Sequence, residues 1–334
     1  MSMNRRSLLL TAGIGTLALT KGAALAQATE VPQIAIVAKI GGIPWFNAMD
    51  AGIKKQAEAL KVDAWMVGPT QADAAQQVRA VEDLIARKVN VIGVVPNDAA
   101  ALEPVLARAK AAGIKVLTHE SPDQKANDWD LELTTVAAYG EAHMDLLAKE
   151  MGEEGKYIVY VGSLTVPLHN AWADAAISYQ KTKYPKMEML GDRFGVAESL
   201  DDSFRTTQDQ LRAHPDIKGI LTFGSQGPIG AGKALDDRGK AKSVALVGGY
   251  SPGQGQKYVK QGIIRGGFIW NPMTAGECLV QVAKMLAEGK EPADGMELVE
   301  VGAVKVDKAK RLIQAQKLES LDKANIDRLV ALGL

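Results

Sequence analysis

The chain has 334 residues, with 39 basic and 39 acidic side chains, 4 histidines and one cysteine. Balanced charge offers nucleic acid no basic face, and a lone Cys278 excludes an internal disulfide. This length outgrows one hydrophobic core, so two bodies of ordinary domain size are expected, stabilised by apolar packing and not by covalent staples.

The N-terminus reads as a targeting segment. Arg5 and Arg6 precede an apolar run rich in Gly and Ala that reaches Leu19, and Ala24-Leu25-Ala26 satisfies the small-x-small cleavage rule, so residues 1–26 are expected to be a signal peptide. The paired arginines before Ser7, with Lys21 near the cut, favour twin-arginine export over general secretion. Cleavage removes Arg5, Arg6 and Lys21 and no acid, leaving a slightly acidic chain. No cysteine stands at the cut to carry a lipid, and no later apolar run has the length of a membrane span. A soluble periplasmic protein is expected.

From Ile34 onward, short apolar runs alternate with longer amphipathic ones. Strands are predicted at 34–37, 62–67, 91–95 and 115–118, with helices over 46–60, 73–88 and 99–111; Gly113 follows the last of these helices as a stop. A second series follows, with helices at about 139–151, 170–182, 203–213 and 229–236 and strands at 157–161, 187–190, 219–222 and 243–247. Strands alternating with helices imply parallel sheets with right-handed crossovers. Open sheets of this kind bind ligands beyond the carboxyl ends of their strands, so two in series place their loop ends across a cleft.

Several stretches, in order and spacing, resemble the type I periplasmic binding proteins, in the branch that holds the rhamnose-binding and autoinducer-2-binding (AI-2-binding) proteins of sugar importers. They are Ile36-Val37-Ala38-Lys39-Ile40 with Trp45-Phe46, Gly68-Pro69-Thr70, Gly113 to Thr118, Val247-Gly248-Gly249-Tyr250-Ser251 and Gly267-Phe268-Ile269-Trp270-Asn271. The resemblance implies an α/β fold of two doubly wound parallel-sheet lobes joined by a three-segment hinge. Its crossings would lie near 119–122, 249–252 and after 288. One lobe would hold 27–120 plus 252–288 and the other 121–250 plus 289–334. The implied function is capture of a monosaccharide or small polyol for an ABC permease, by a monomer that needs no cofactor and could also report to a chemoreceptor. In the autoinducer-binding pattern Lys39 matches and Glu120 replaces an aspartate, but Leu168-His169 stands where Asp-Gln is expected and Gly224-Ser225-Gln226 replaces a Pro-x-Ala turn. Autoinducer-2 is therefore the second choice.

A sugar presents apolar C–H faces and hydroxyls that both donate and accept, so its site needs flat aromatics beside carboxylates, amides and cations. Among 5 Trp, 7 Tyr and 5 Phe, Trp45, Phe46, Trp172 and Trp270 fall on or near predicted strand ends. Lys39 follows the first strand. Asn97 and Asp98 follow the third, where either can instead cap the next helix. Glu120 stands at the expected crossover, and replacing it or Trp270 by Ala is expected to weaken binding with little effect on stability. His169 and Asn170 open a predicted helix, with Asn170 alternatively its N-cap. Ser225, Gln226 and Asn271 complete the candidates. Four scattered histidines lack metal-ligand spacing, the glycine-rich 224–227 turn lacks a phosphate-loop pattern, and no nucleophile with a base suggests an enzyme.

Overall fold

The computed structural model describes Val31–Leu334, which form one compact unit. The expected signal peptide, its arginine pair and its cleavage site lie outside the described residues.

The alternation read from the sequence builds a first parallel sheet. Its strands and helices run β1 (Gln33–Val37), α1 (Pro44–Leu60), β2 (Asp63–Val67), α2 (Ala74–Arg87), β3 (Val91–Val94), α3 (Ala99–Ala111), β4 (Lys115–His119) and β5 (Trp129–Glu132). Ile34 to Val37 and Val91 to Val94 are wholly buried because helices cover both faces, so these strands read as unbroken apolar runs. Asp73 and Asp98 accept backbone N–H groups at the starts of α2 and α3.

A second sheet follows from α4 (Val136–Met151), β6 (Gly155–Val161), α5 (Pro167–Lys183), β7 (Met187–Met189), β8 (Phe194–Gly195), α6 (Leu200–Ala213), β9 (Ile217–Phe223), α7 (Gly227–Asp237) and β10 (Ala245–Gly248). Its order is β10-β9-β6-β7, and β8 extends the β7 side by pairing Tyr160 with Phe194. Every pairing in this sheet is parallel.

The remaining chain comprises α8 (Pro252–Gln261), β11 (Gly267–Ile269), α9 (Pro272–Ala287), β12 (Glu297–Leu298), β13 (Gly302–Ala303), β14 (Lys305–Asp307), β15 (Leu312–Gln314), β16 (Glu319–Leu321) and α10 (Ile326–Ala331). Helix α9 returns to the first sheet and crosses α1 closely. A Cβ added to Gly52 would fall 1.9 Å from the Met273 carbonyl oxygen, and one on Gly276 would fall 2.2 Å from that of Met49. Both positions therefore require glycine for the helices to touch. The first sheet is completed as β14-β15-β5-β4-β3-β1-β2, with β14 its antiparallel edge.

Sheet membership departs from the expected segmentation at each crossing. Trp129–Glu132, expected beyond a boundary at 120, pairs with β4 and β15 in the first sheet. Helix α8, expected to join the first body from 252, packs on α7 and α10, and β11 pairs with β16. Residues 305–314, expected in the second body, supply β14 and β15 to the first sheet. The chain thus passes between the sheets after Leu133, at Trp270–Asn271 and near Ala315–Lys317. Two of these passages are paired: Ala315 donates its N–H to the Glu132 carbonyl at 2.8 Å, and Lys317 to that of Leu133 at 2.9 Å. The expected boundary at 120 followed from the resemblance alone, and the alternation of Trp129 and Leu131 with two acids is itself a strand pattern. Among the described residues, no helix is long and apolar enough to cross a membrane.

Candidate ligand-binding cavity

The carboxyl ends of both sheets border one cavity, as the topology of open parallel sheets requires. From the first sheet come Lys39 after β1, Trp45 and Phe46 at the start of α1, and Glu120 after β4. From the second come His169 and Trp172 on α5, Glu198 after β8, and Gly224 and Ser225 after β9. Gly249 follows β10, Trp270 ends the passage from β11, and Tyr139 stands on the first turns of α4. The space between atoms amounts to about 350 Å³.

Its polar heart is a buried ion cluster. Lys39, 2 % exposed, donates to Glu120 and lies 3.5 Å from Glu198 Oε1. Burial pulls the Lys39 ammonium down, but Glu120 and then Glu198 outweigh it and hold the group above its ordinary value. Burial pushes Glu120 up, and Lys39 with His169 overcomes this, holding its carboxylate well below the usual range. Glu120 is also in the left-handed region, at φ +60°, a conformation that costs a non-glycine residue roughly 1 kcal/mol. That turn brings the Glu120 carboxylate to Lys39.

His169 adds a mismatch. Its Nδ1 accepts from the Gly162 N–H at 3.1 Å, so the neutral ring carries its proton on Nε2. That Nε2 sits 2.8 Å from Lys39 Nζ, setting donor against donor, while carboxylate oxygens of Glu120 and Glu198 lie 3.6 and 3.8 Å away. A hydroxyl entering this cluster can accept from one nitrogen and donate to a carboxylate, which relieves the opposition.

The rest of the wall is aromatic. Trp172 stacks on His169 at 5.3 Å and 19°, while Tyr139 lies 4.3 Å from Trp172 and 5.3 Å from Trp270. Trp45 meets Trp270 edge-on at 5.6 Å and 88°. The buried indole N–H groups of Trp172 and Trp270 have no acceptor among the described residues, which leaves two donors on this wall to be satisfied. Burial, with the Glu120 charge adding to it, raises the Tyr139 phenol far above its ordinary value and keeps it neutral.

Of the residues expected at a site, the structure brings together Lys39, Trp45, Phe46, Glu120, His169, Trp172, Ser225 and Trp270. Five others stand outside the cavity. Asn97 donates through Nδ2 to the Lys39 carbonyl at 2.7 Å, fixing the backbone beneath that cation. Asp98 caps α3 through the Ala101 N–H, and Asn271 caps α9 through Met273 and Thr274. Asn170 does not cap α5, which starts at Pro167 after Val166. Its amide instead donates to the Ser163 and Val166 carbonyls, and Gln226 pairs with Gln254. Tyr139 and Glu198 line the cavity without being among the expected residues. Glu198 lies just before the Ser199 cap of α6, a position where acids are routine and carry no binding signal.

Behind Glu120, β5 presents Asp130 and Glu132 to one side, two residues apart on one strand face. Thr118 Oγ1 donates to Asp130 at 2.5 Å. Burial raises Asp130 to about 7, and burial followed by the Asp130 charge raises Glu132 as well. A carboxyl raised on folding contributes stability fully below its unfolded value of about 4 and loses it as pH rises through the folded value. The chain should therefore lose stability between pH 5 and 8. Glu132→Gln, which removes one of the two acids and supplies amide N–H donors, should flatten that slope and add about 1–3 kcal/mol at pH 8. Denaturant unfolding at the two pH values checks this, and parallel slopes in both proteins would contradict it.

Two sheets with facing strand ends, and a cavity of ion pairs and aromatics between them, define a protein built to enclose a small polar ligand. Residues 34–291 match the periplasmic binding protein domain, and the chain belongs to that family. It is 25 % identical to the ribose import binding protein of Salmonella typhimurium, over 80 % of this chain and 88 % of that protein. A solute-binding protein of an ABC transporter from Clostridium phytofermentas, solved with L-rhamnose, superposes with a TM-score of 0.84 at 25 % identity, covering 90 % of this chain and 99 % of that one. LsrB from Clostridium saccharobutylicum, solved with AI-2, gives 0.81 at 23 % identity, covering 89 % and 99 %.

Proposed function

We propose that this chain is the solute-binding component of an ABC sugar importer, holding a monosaccharide or small polyol between two lobes. The observation that carries the reading is the cavity itself, where a cation, an imidazole and two carboxylates face an aromatic wall. The charged groups suit hydroxyls that donate and accept together, and the indoles suit the C–H face of a ring. In this reading residues 31–133 with 271–316 form one lobe, and 134–270 with 317–334 form the other. The three passages between them act as the hinge. Thr165 Oγ1 of the second lobe donates to the Asn97 carbonyl of the first at 3.1 Å, a contact that supports a closed arrangement.

The ligand contacts fall to Lys39, Glu120, His169, Glu198, Trp172 and Trp270. The chain acts by binding without catalysis, as a monomer in the periplasm, exported by the signal at 1–26 and read by a membrane permease. A second reading, autoinducer-2 as the cargo, is favoured by the contact between Lys39 and Glu120 but not by Leu168-His169 or Ser225.

Thermal-shift screening against pentoses, hexoses, 6-deoxyhexoses, polyols and autoinducer-2, followed by calorimetry, tests this. One class should raise the unfolding midpoint in proportion to the logarithm of its concentration and reduce the radius of gyration in solution scattering. Indifference to every carbohydrate, or turnover of one, would refute the reading.

A further inference from the structure

A second pocket lies beside the three passages between the sheets. Leu133, Trp270 and Lys317, one residue from each passage, line it together with side chains of α1 and α9. It is the wider space, about 960 Å³ against about 350 Å³ in the ligand cavity. Trp270 borders both spaces.

The lining has a definite chemistry. Glu277 is 1 % exposed; its Oε1 accepts from Lys55 at 2.7 Å, while its buried Oε2 has no hydrogen-bond partner. Glu300 and Glu319 with Lys55 and Lys317 complete the charged lining, Glu319 being already paired with Arg328. Leu133, Met273 and Leu332 supply apolar surface beside them. An unpartnered buried carboxylate oxygen calls for a donor, and a charged donor forms the stronger bond.

We propose that this pocket binds a small molecule with an apolar body and an ammonium head, the head on Glu277 and the body against Leu133, Met273 and Trp270. The effect on the hinge rests on the two-lobe reading above. Because all three passages contribute to the wall, an occupant binds the closed and open arrangements differently and so changes affinity for the sugar.

Phenethylamine is a suitable probe, with 2-phenylethanol as its uncharged control. Calorimetry on the wild-type chain should show phenethylamine binding more tightly than the alcohol. Glu277→Gln, which keeps the shape and an oxygen for Lys55, should weaken the amine by about tenfold or more. Leu332→Lys, on an exposed rim residue, should weaken it with no risk to the fold. Saturating amine should shift the dissociation constant of whichever carbohydrate the screen identifies. Absence of binding, equal affinity for amine and alcohol, or indifference to both variants overturns the site. Amine binding that leaves sugar affinity unchanged overturns the coupling. A chain that binds the amine as described and no carbohydrate would sink the sugar reading while leaving this pocket in place.

Discussion

Lys39→Met should cost about 3–5 kcal/mol of stability and weaken sugar binding by at least about a hundredfold. The ammonium is the positive partner of both Glu120 and Glu198 within a buried cluster, so its removal leaves two carboxylates desolvated against each other. The double variant Lys39→Met with Glu120→Gln removes one charge of each sign and should recover part of the lost stability, because only Glu198 is then left buried without its cation. It should not recover binding. Urea unfolding with calorimetry on all three proteins separates these outcomes; a single variant within about 1 kcal/mol of wild type would show that the cluster is not the electrostatic unit described.

Trp270→Ala should cost about 3–5 kcal/mol and reduce sugar affinity by at least about tenfold. The indole is 3 % exposed and contacts Trp45, Tyr139 and Trp172, so truncation opens a void in the aromatic wall as well as removing a ring from the cavity. Trp270→Phe should retain most of the stability while remaining weaker for the sugar, since it keeps a ring and loses the indole N–H. Sugar affinity in the Phe variant equal to that of the unaltered chain, measured by calorimetry, would indicate that the residue acts only through packing. From the sequence alone, neither Glu120 nor Trp270 is expected to matter for stability. Their burial reverses that, because each holds together the surface it presents.

The alternation of apolar runs and amphipathic helices was legible because both sheets are covered on two faces, and α3 falls where its apolar period and the Gly113 stop put it. Lys39, Trp45, Glu120 and Trp270 were legible for a related reason: strand ends on open sheets face the cleft, so a polar or flat residue just past an apolar run is a strong candidate. The same rule placed Asn97 and Asp98 at the site, but the first turn after a strand serves helix capping and loop bracing equally well. Which use prevails depends on side-chain direction, which a one-dimensional pattern does not carry. Tyr139 was hidden as an aromatic on a buried helix face, indistinguishable from core until the other sheet is brought against it. The membership of β5 in the first sheet left no local trace, since its partner β15 lies some 180 residues later in the chain.

The outer edge of β5 is covered by β15, the Asp130 and Glu132 positions lying opposite Leu312 and Gln314. A ribosome delivers those partners some 180 residues after β5, so a nascent first sheet is left meanwhile with an open strand ready to pair with a neighbouring polypeptide. Two acids facing inward on that strand are ionised at neutral pH while water still reaches them, and charges so placed discourage edge-to-edge aggregation. The strand that weakens the finished protein at high pH thereby shields the unfinished one from its neighbours.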